Sequence, residues 1–310
     1  MLGQASTGLR QRRLQAMSKN SISVWLLAAR PKTLPVAIAP ILVGSAMAWA
    51  NDGFNLGAML VAMVCALLIT IGTNFCNDYA DFARGADTAS RKGPTRVTQA
   101  GLVSPEQIRI ATFVVFALAL ILGMYLVYRA GWIIFLIGLV SIAAGILYTA
   151  GPWPFGYKGL GDLFVLVFFG PVAVGGTYYV QALEITPHVI IVGVAPGLLA
   201  TAVLLVNNIR DIEEDRRAGK MTTVVRFGRK FGIGMWIACV VIAALLPLEF
   251  VRFTGEHIWS GLTVLILIPA IGILHGLVTI KDATRLNSLL GQTALLLLAH
   301  SVIFALTWVV

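Results

Sequence analysis

Asn74-Phe75-Cys76-Asn77-Asp78-Tyr79-Ala80-Asp81 closes a long apolar run, and this stretch decides the interpretation of the chain. The run that it closes, residues 56–76, is long enough to cross a membrane as a helix. A carboxylate costs about 2.5–3.5 kcal/mol at the centre of a membrane helix, and less near its end, so acids placed there indicate a function. A second stretch repeats the arrangement, because Asn207-Asn208-Ile209-Arg210-Asp211 follows another apolar run and is itself followed by Asp215.

The composition predicts an integral membrane protein. Hydrophobic residues make up 58% of the 310 residues and charged residues only 12%, whereas soluble domains carry about 25% charged residues. Each long apolar run can cross a hydrocarbon core of about 30 Å as a helix. These runs predict nine transmembrane helices, at about 33–50, 56–76, 108–128, 132–150, 160–181, 189–208, 231–251, 258–279 and 290–310.

The basic residues support this count and predict an orientation. If the N-terminus is cytoplasmic, every Lys and Arg except Arg129 and Arg252 lies in the cytoplasmic segments, as the positive-inside rule requires. We therefore expect an all-α, polytopic membrane bundle. Its N-terminus is cytoplasmic and its C-terminus outside, and both acidic clusters face the cytoplasm.

The net charge of +9 does not require a nucleic-acid partner, because the basic residues lie in loops that set topology and meet anionic lipid. Residues 1–20 are predicted to be a basic, disordered tail, and residues 21–310 a single transmembrane domain. The three cysteines have no CxxC spacing and are interpreted as core residues. The sequence carries no signal for an oligomeric state.

The spacing within each cluster predicts a polar helical face, since residues three, four, seven or eight apart lie on one side of a helix. Carboxylates one turn apart repel each other unless a cation lies between them. Mg²⁺ takes oxygen ligands and is usually held by one or two carboxylates together with substrate phosphates. We therefore predict a diphosphate that Mg²⁺ bridges to both clusters. The predicted faces are Asn74, Asp78 and Asp81 in the first cluster and Asn207, Asp211 and Asp215 in the second. The candidate metal ligands are Asn74, Asn77, Asp78, Asp81, Asp87, Asn208, Asp211 and Asp215.

The loops after the two clusters also supply cations for a diphosphate, because arginine binds phosphate as a bidentate fork. The candidates are Arg84, Arg91, Lys92 and Arg96 after the first cluster and Arg210, Arg216, Arg217 and Lys220 around the second.

Other candidates have two interpretations each. Arg30 and Lys32 either hold a substrate carboxylate or only anchor the topology. Tyr148 either caps a cavity or belongs to the interfacial aromatic belt. Asp162 is either a helix N-cap or a group that hydrogen-bonds or deprotonates the acceptor.

At these residues the chain resembles the UbiA-type intramembrane prenyltransferases, a family of nine-helix proteins with the motifs NDxxDxxxxxD and DxxxD. The first motif matches Asn77-Asp78, Asp81 and Asp87, and the second matches Asp211 and Asp215. Residues 29–35, 74–87, 148–151, 159–162 and 207–220 are similar to the branch that prenylates 1,4-dihydroxy-2-naphthoate in menaquinone synthesis. The similarity runs from about residue 24 to about residue 230, and the last three helices match only as hydrophobic spans. Lys158 departs from the pattern of the branch.

The resemblance implies a Mg²⁺-dependent prenyl transfer. A prenyl diphosphate binds through Mg²⁺ to both clusters, its C–O bond breaks, and the ring of the aromatic acceptor attacks the allylic cation with loss of CO₂. Asp78, Asp81, Asp162, Asp211 and Asp215 are then the catalytic candidates. Asn74, Asn77, Tyr148, Lys158, Asn207 and Asn208 join the basic residues as substrate-binding candidates. The alternatives are another aromatic acceptor, such as 4-hydroxybenzoate or homogentisate, and a cation-coupled transporter.

Overall fold

The structure is a computed structural model that describes residues 21–86 and 93–310. Across those two ranges the chain is built of helices joined by turns, and no residue in them is part of a strand. The predicted all-α architecture is confirmed. The predicted tail, residues 1–20, lies outside the described residues.

Twelve α-helices follow one another along the described residues, and the longest connections are residues 84–104 and 148–160. The first two helices are α1 (Ile22–Ala29) and α2 (Pro35–Ala50). The next are α3 (Leu56–Ala83), α4 (Pro105–Ala130), α5 (Trp132–Leu147), α6 (Gly161–Val167) and α7 (Ala173–Ala182). The remainder are α8 (Pro187–Arg217), α9 (Thr223–Phe227), α10 (Arg229–Thr254), α11 (Leu267–Thr279) and α12 (Ala283–Trp308).

Seven helical segments of the described chain are long and apolar enough to cross a membrane. An eighth is formed if α1 and α2 are taken together, and these two meet at a bend of 54°. Helix α5 corresponds to the predicted span 132–150. It has only 16 residues and is shorter than the seven segments that could cross a membrane. The protein is a multi-pass membrane protein, and the count of nine stays a prediction.

The helix boundaries follow local capping chemistry. The side chain of Asn55 accepts a hydrogen bond from the backbone amide of Ala58 and so starts α3. Ser104 and Gln107 form a reciprocal capping box at the start of α4. Gly131 separates α4 from α5 with a φ of 85°, a backbone conformation that favours glycine. Helices α4 and α5 are therefore joined by this single glycine.

The predicted span 160–181 is a broken helix. A π-helical segment at 168–172 joins α6 to α7, and Gly170 inside it has non-helical dihedral angles next to Pro171. The break lies against α8, where Gly193 and Gly197 allow a close approach. A Cβ on Gly197 would collide with the carbonyl oxygen of Leu166, so both helices depend on this crossing.

Helix α8 is the central element of the bundle. The apolar window of α8 is 72% buried inside the protein, against 17–50% for the other candidate spans. The largest hydrophobic cluster packs α8 against α2, α10, α11 and α12. Polar residues from the C-terminal ends of α8 and α3 line one cavity.

Candidate active site

A cavity of about 1230 Å³ opens between the helices and has two chemically different ends. Helices α3, α4, α5 and α7 supply a long apolar section, which includes Ile69, Leu120 and Ile142. Polar side chains gather where α3 and α8 end. This polar end includes Arg30, Lys32, Asn74, Asn77, Asp81, Arg96, Tyr148, Asn207, Arg210, Lys220 and Asn287.

Asp81 is the acidic centre of the first cluster. Its Oδ2 lies 2.6 Å from Nη2 of Arg96, and the two side chains are only 8% and 6% exposed. Its Oδ1 accepts a hydrogen bond of 2.8 Å from the hydroxyl of Tyr157. Asn77 lies one turn earlier, and its side-chain oxygen accepts a hydrogen bond of 2.6 Å from the hydroxyl of Thr149. Asp81 thus carries a charge-assisted contact and a neutral one at the wall of the cavity.

Asp78 does not line the cavity. The prediction that it shares a cavity-lining face of α3 with Asn74 and Asp81 is therefore wrong. Both carboxylate oxygens of Asp78 accept backbone amide hydrogen bonds of 3.1 Å, from Val97 and Thr98. Asp78 is 2% exposed, and a carboxylate so buried requires such partners. Asn74, Asn77 and Asp81 form the cavity-lining face instead. Asp78 anchors the segment that carries Arg96.

The second cluster is organised around Arg210. Its Nε and Nη2 bind both oxygens of Asp211 at 2.7 and 2.6 Å, and this pair is almost fully buried. Nη2 also donates to the side-chain oxygen of Asn207 at 2.7 Å, and Nη1 donates to that of Asn287 at 2.9 Å. The planar guanidinium is therefore fixed from three sides. Asn287 belongs to α12, so the last helix takes part in this site.

The two clusters meet at one end of the bundle. Nζ of Lys220 lies 3.7 Å from Asp215 and 5.8 Å from the ring centroid of Tyr157. The hydroxyl of the same tyrosine binds Asp81. A continuous chain of contacts thus runs from the end of α3 to the end of α8, as a shared site requires.

Burial and neighbouring charges shift the pKa values of three side chains in this chain of contacts. Burial is the main cause that raises the pKa of Tyr157, and Asp81 raises it further. Burial alone would lower the pKa of Lys220, but Asp215, Tyr148 and Asp81 surround the ammonium group and raise its pKa overall. Burial, together with neighbouring carboxylates, raises the pKa of Tyr148 to about 12. At neutral pH the site therefore holds a charged lysine and two neutral phenols.

The other predicted residues are placed as follows. Asp162 is not the N-cap of its helix, because Leu160 holds that position. Its Oδ2 accepts a hydrogen bond of 2.5 Å from Thr223, and it does not line the cavity. Arg84 binds the carbonyl oxygens of Thr149 and Gly151 and also lies outside the cavity lining.

Lys158 is exposed, and only its carbonyl oxygen has a role here, as the acceptor of a hydrogen bond from Arg226. Asn208 is buried, and its side-chain oxygen has no hydrogen-bond partner among the described residues. Arg30 and Lys32 line the polar end of the cavity. Asp87, Arg91 and Lys92 lie outside the described residues.

The donor set at the polar end fits Mg²⁺. The cavity-lining side chains include hard oxygen donors from Asn74, Asn77 and Asp81, the ligand type that Mg²⁺ prefers. Within residues 21–86 and 93–310, no three His, Cys, Asp or Glu side chains are close enough to hold a metal by themselves. The residues therefore suit a cation that takes its remaining ligands from a substrate and from water.

Three contributors were missed by the sequence interpretation: Tyr157, Thr149 and Asn287. Tyr157 and Asn287 are lone polar residues without a motif, whereas Thr149 lies in the similar stretch 148–151 but received no role there. Asn287 precedes the predicted span 290–310 and was therefore placed in a loop. Arg96 was one of several loop cations, and nothing in its spacing distinguished it. The only available signal was the aromatic and polar character of residues 148–158 between two apolar runs.

Residues 37–306 match the UbiA prenyltransferase family. The chain belongs to this family. The match reaches through α12, so the expectation that the last three helices are similar only as hydrophobic spans is wrong. The break between α6 and α7 and the joined ends of α3 and α8 are thus features of a UbiA family protein.

Two bacterial relatives are similar to the chain over most of its length. One is a 1,4-dihydroxy-2-naphthoate octaprenyltransferase of Haemophilus influenzae, 36% identical over 304 residues, which cover 95% of this chain and 98% of the relative. The other carries the same name in Escherichia coli and is 41% identical over 259 residues, which cover 80% of this chain and 84% of the relative.

Solved structures show the same fold. A UbiA homologue from Archaeoglobus fulgidus bound to GPP and Mg²⁺ has a TM-score of 0.64 and 18% identity, with 91% of this chain and 99% of the homologue covered. The apo structure of a UbiA homologue from Aeropyrum pernix has a TM-score of 0.66 and 17% identity, with 88% and 96% covered.

Proposed function

We propose that the protein transfers a polyprenyl group from its diphosphate to 1,4-dihydroxy-2-naphthoate and releases diphosphate and CO₂. The product is demethylmenaquinol, an intermediate of menaquinone biosynthesis. The observation that carries the proposal is the junction of two acidic and basic helix ends at the mouth of one apolar cavity. The names of the Haemophilus and Escherichia relatives support the choice of acceptor.

The diphosphate lies at the polar end, where Arg96, Arg210 and Lys220 line the cavity. When the C–O bond between the prenyl carbon and the diphosphate breaks, the electron pair leaves with the diphosphate. Fixed cations stabilise the charge that develops on this leaving group. Asn74, Asn77 and Asp81 would hold Mg²⁺ at this end, and the bound ion would supply further charge neutralisation. Asp211 and Asp215 act through Arg210 and Lys220.

An aromatic wall faces the allylic cation. The rings of Phe155 and Phe164 stack with centroids 3.9 Å apart, and Phe168 follows at 6.1 Å from Phe164. All three line the cavity beside Tyr148. The faces of such rings attract a cation, and an apolar surrounding strengthens the attraction. The same wall excludes water, which would otherwise capture the cation.

The acceptor ring forms the new C–C bond through the carbon that carries its carboxylate. CO₂ leaves from this carbon, and the bonding pair that it leaves behind restores the aromatic ring. No base is needed to remove a proton from that carbon. Arg30 and Lys32, at the polar end, supply cations for the acceptor carboxylate before it is lost.

The membrane arrangement belongs to the same proposal. Residues 21–310 form one domain with nine spans, in which α2 and the short α5 complete the count. The N-terminus is cytoplasmic and the C-terminus lies outside the inner membrane of a bacterium. The site faces the cytoplasm, where soluble 1,4-dihydroxy-2-naphthoate reaches it, and the prenyl donor is drawn from the lipid.

The test is a transfer assay with the purified full-length chain in lipid vesicles. Octaprenyl diphosphate, Mg²⁺ and 1,4-dihydroxy-2-naphthoate are supplied, and the product is identified by its mass. We expect the decarboxylated octaprenyl quinol, no product after chelation with EDTA, and recovery on addition of Mg²⁺. Product with 4-hydroxybenzoate and none with the naphthoate would overturn the acceptor. Cation uptake by the vesicles, with no product from either acceptor, would overturn prenyl transfer.

A further inference from the structure

The apolar section of the cavity ends on four side chains from four helices. These are Ala62 of α3, Leu126 of α4, Ile134 of α5 and Val180 of α7, and all four line the cavity. They belong to one hydrophobic cluster, and none is more than 9% exposed. We call these four residues the floor. Beyond the floor, Arg129 donates hydrogen bonds of 2.7 and 3.0 Å to the carbonyl oxygens of Val180 and Gln181, which fixes α7 to α4.

Small residues surround the cavity one helical turn above the floor. Helices α3 and α5 run toward the polar end and α4 and α7 run away from it, so a step of three or four residues toward that end covers one turn. From the floor residues this step leads to Gly123 on α4, Gly138 on α5, Gly176 on α7 and Ala66 on α3. All four line the cavity. We call them the ring.

The ring glycines differ from the glycines that pack helices together. A Cβ on Gly138 or Gly176 would meet no heavy atom within 4 Å, and one on Gly123 would meet only Sγ of Cys65, at 4.0 Å. Gly72 and Gly145 are different, because a Cβ there would collide with Phe116 or Thr73. A glycine in the middle of a helix destabilises it relative to alanine. The ring glycines have no packing role that offsets this, and their missing side chains leave open space inside the cavity.

The ring lies too deep for a short prenyl group to reach. Ala66 is eleven residues before Asn77 on α3, which corresponds to about 16 Å along the helix. A geranyl main chain has seven carbon–carbon bonds of about 1.5 Å, so it cannot extend beyond about 11 Å. An octaprenyl chain is four times as long and passes this level.

We propose that the ring seats the isoprene units that follow the second one and thereby determines how well long tails are accepted over short ones. This inference rests on the proposed prenyl transfer. The open space at the ring takes tail atoms that a larger side chain would displace. Because three ring positions lie at the same depth on different helices, blocking any one of them limits the tail at the same length.

The experiment compares Gly138→Leu and Gly123→Leu with the unchanged protein. Each is given geranyl, farnesyl, geranylgeranyl and octaprenyl diphosphate, and kcat/KM is measured for each donor. We expect the ratio of kcat/KM for octaprenyl to that for geranyl to fall about 10- to 100-fold in both variants, the usual effect of overpacking a filled site. The fall should begin at the same donor length in both variants.

Gly272→Leu is the matched control. Gly272 is an exposed glycine of α11 that also has open space at its Cβ, but it does not line the cavity. This control should keep the unchanged donor ratio. The smaller change Gly138→Ala should lower the ratio less than Gly138→Leu.

Three results would overturn the inference: an equal loss with every donor, an unchanged ratio in both leucine variants, or different threshold lengths for Gly123→Leu and Gly138→Leu. Absence of transfer by the unchanged protein with every donor would instead refute the proposed function. Transfer of geranyl by the variants separates the two cases, because it shows a folded protein with its chemistry intact.

Discussion

The role of Asp78 yields the sharpest prediction, because both of its carboxylate oxygens accept hydrogen bonds from backbone amides. Each carboxylate oxygen accepts one backbone amide, and Val97 and Thr98, which donate, are almost fully buried. In Asp78→Asn one of these acceptors becomes an NH₂ group, so one buried amide loses its partner. Such a loss costs about 1–3 kcal/mol.

The segment that loses this anchor carries Arg96, which lines the cavity beside Asp81. If the whole cost displaces Arg96, kcat/KM for the prenyl diphosphate falls about 5- to 150-fold. The assay is steady-state transfer with varied donor, followed by a titration with Mg²⁺ at saturating donor. We expect the donor KM to rise while the Mg²⁺ concentration for half activation stays the same.

The double variant Asp78→Asn with Arg96→Gln tests whether the loss at Asp78 acts through the displacement of Arg96. If Asp78 acts through Arg96, the two changes are strongly non-additive. Glu213→Gln is the control, because Glu213 is an exposed carboxylate paired only with Arg216 at 3.1 Å, and such pairs contribute little. A raised Mg²⁺ requirement with an unchanged donor KM would refute the anchor and make Asp78 a metal ligand.

Three further predictions concern the contacts that join the clusters. Tyr157→Phe removes the hydroxyl that binds Asp81 and should lower kcat/KM about tenfold with no loss of protein in membranes, measured by transfer and immunoblot; an unchanged rate would contradict it. Asn287→Leu leaves a donor of Arg210 without its acceptor and should lower kcat/KM about 10- to 100-fold, measured with varied donor; an effect no larger than that of Ser288→Ala would contradict it. Lys220 has a raised pKa, so folding favours its ammonium form; its contribution is full below about pH 10 and is lost only as the pH rises through the still higher folded-state pKa. A pH–rate profile should show no limb due to Lys220 between about pH 6 and 9, and a limb that vanishes in Lys220→Arg would count against this.

Sequence predicted the parts of this structure that depend on length and charge. Apolar runs of about 20 residues marked the spans, and the distribution of basic residues placed Asp81 and Asp215 at the same end of the bundle. The contacts around Tyr157 and Lys220 agree with that placement. These predictions succeed because burial and membrane thickness act on whole segments.

What sequence did not predict depends on single contacts. The donors to Asp78 are backbone amides 19 and 20 residues away, and any residue type offers such amides. Helical spacing alone placed Asp78 on the cavity face, although Asn77, one residue earlier, takes that place. The partnership of Arg210 with Asn287 spans 77 positions and carries no local pattern.

The burial of α8 has a consequence for how the protein is made. Its apolar window has a mean hydropathy of 2.6, as high as that of any other candidate span, yet 72% of that window is hidden from lipid in the finished protein. High hydropathy therefore serves insertion of α8 during synthesis, before α10, α11 and α12 are made and can cover it. A nascent chain stopped after residue 230 would present to lipid a surface that the mature protein uses for packing.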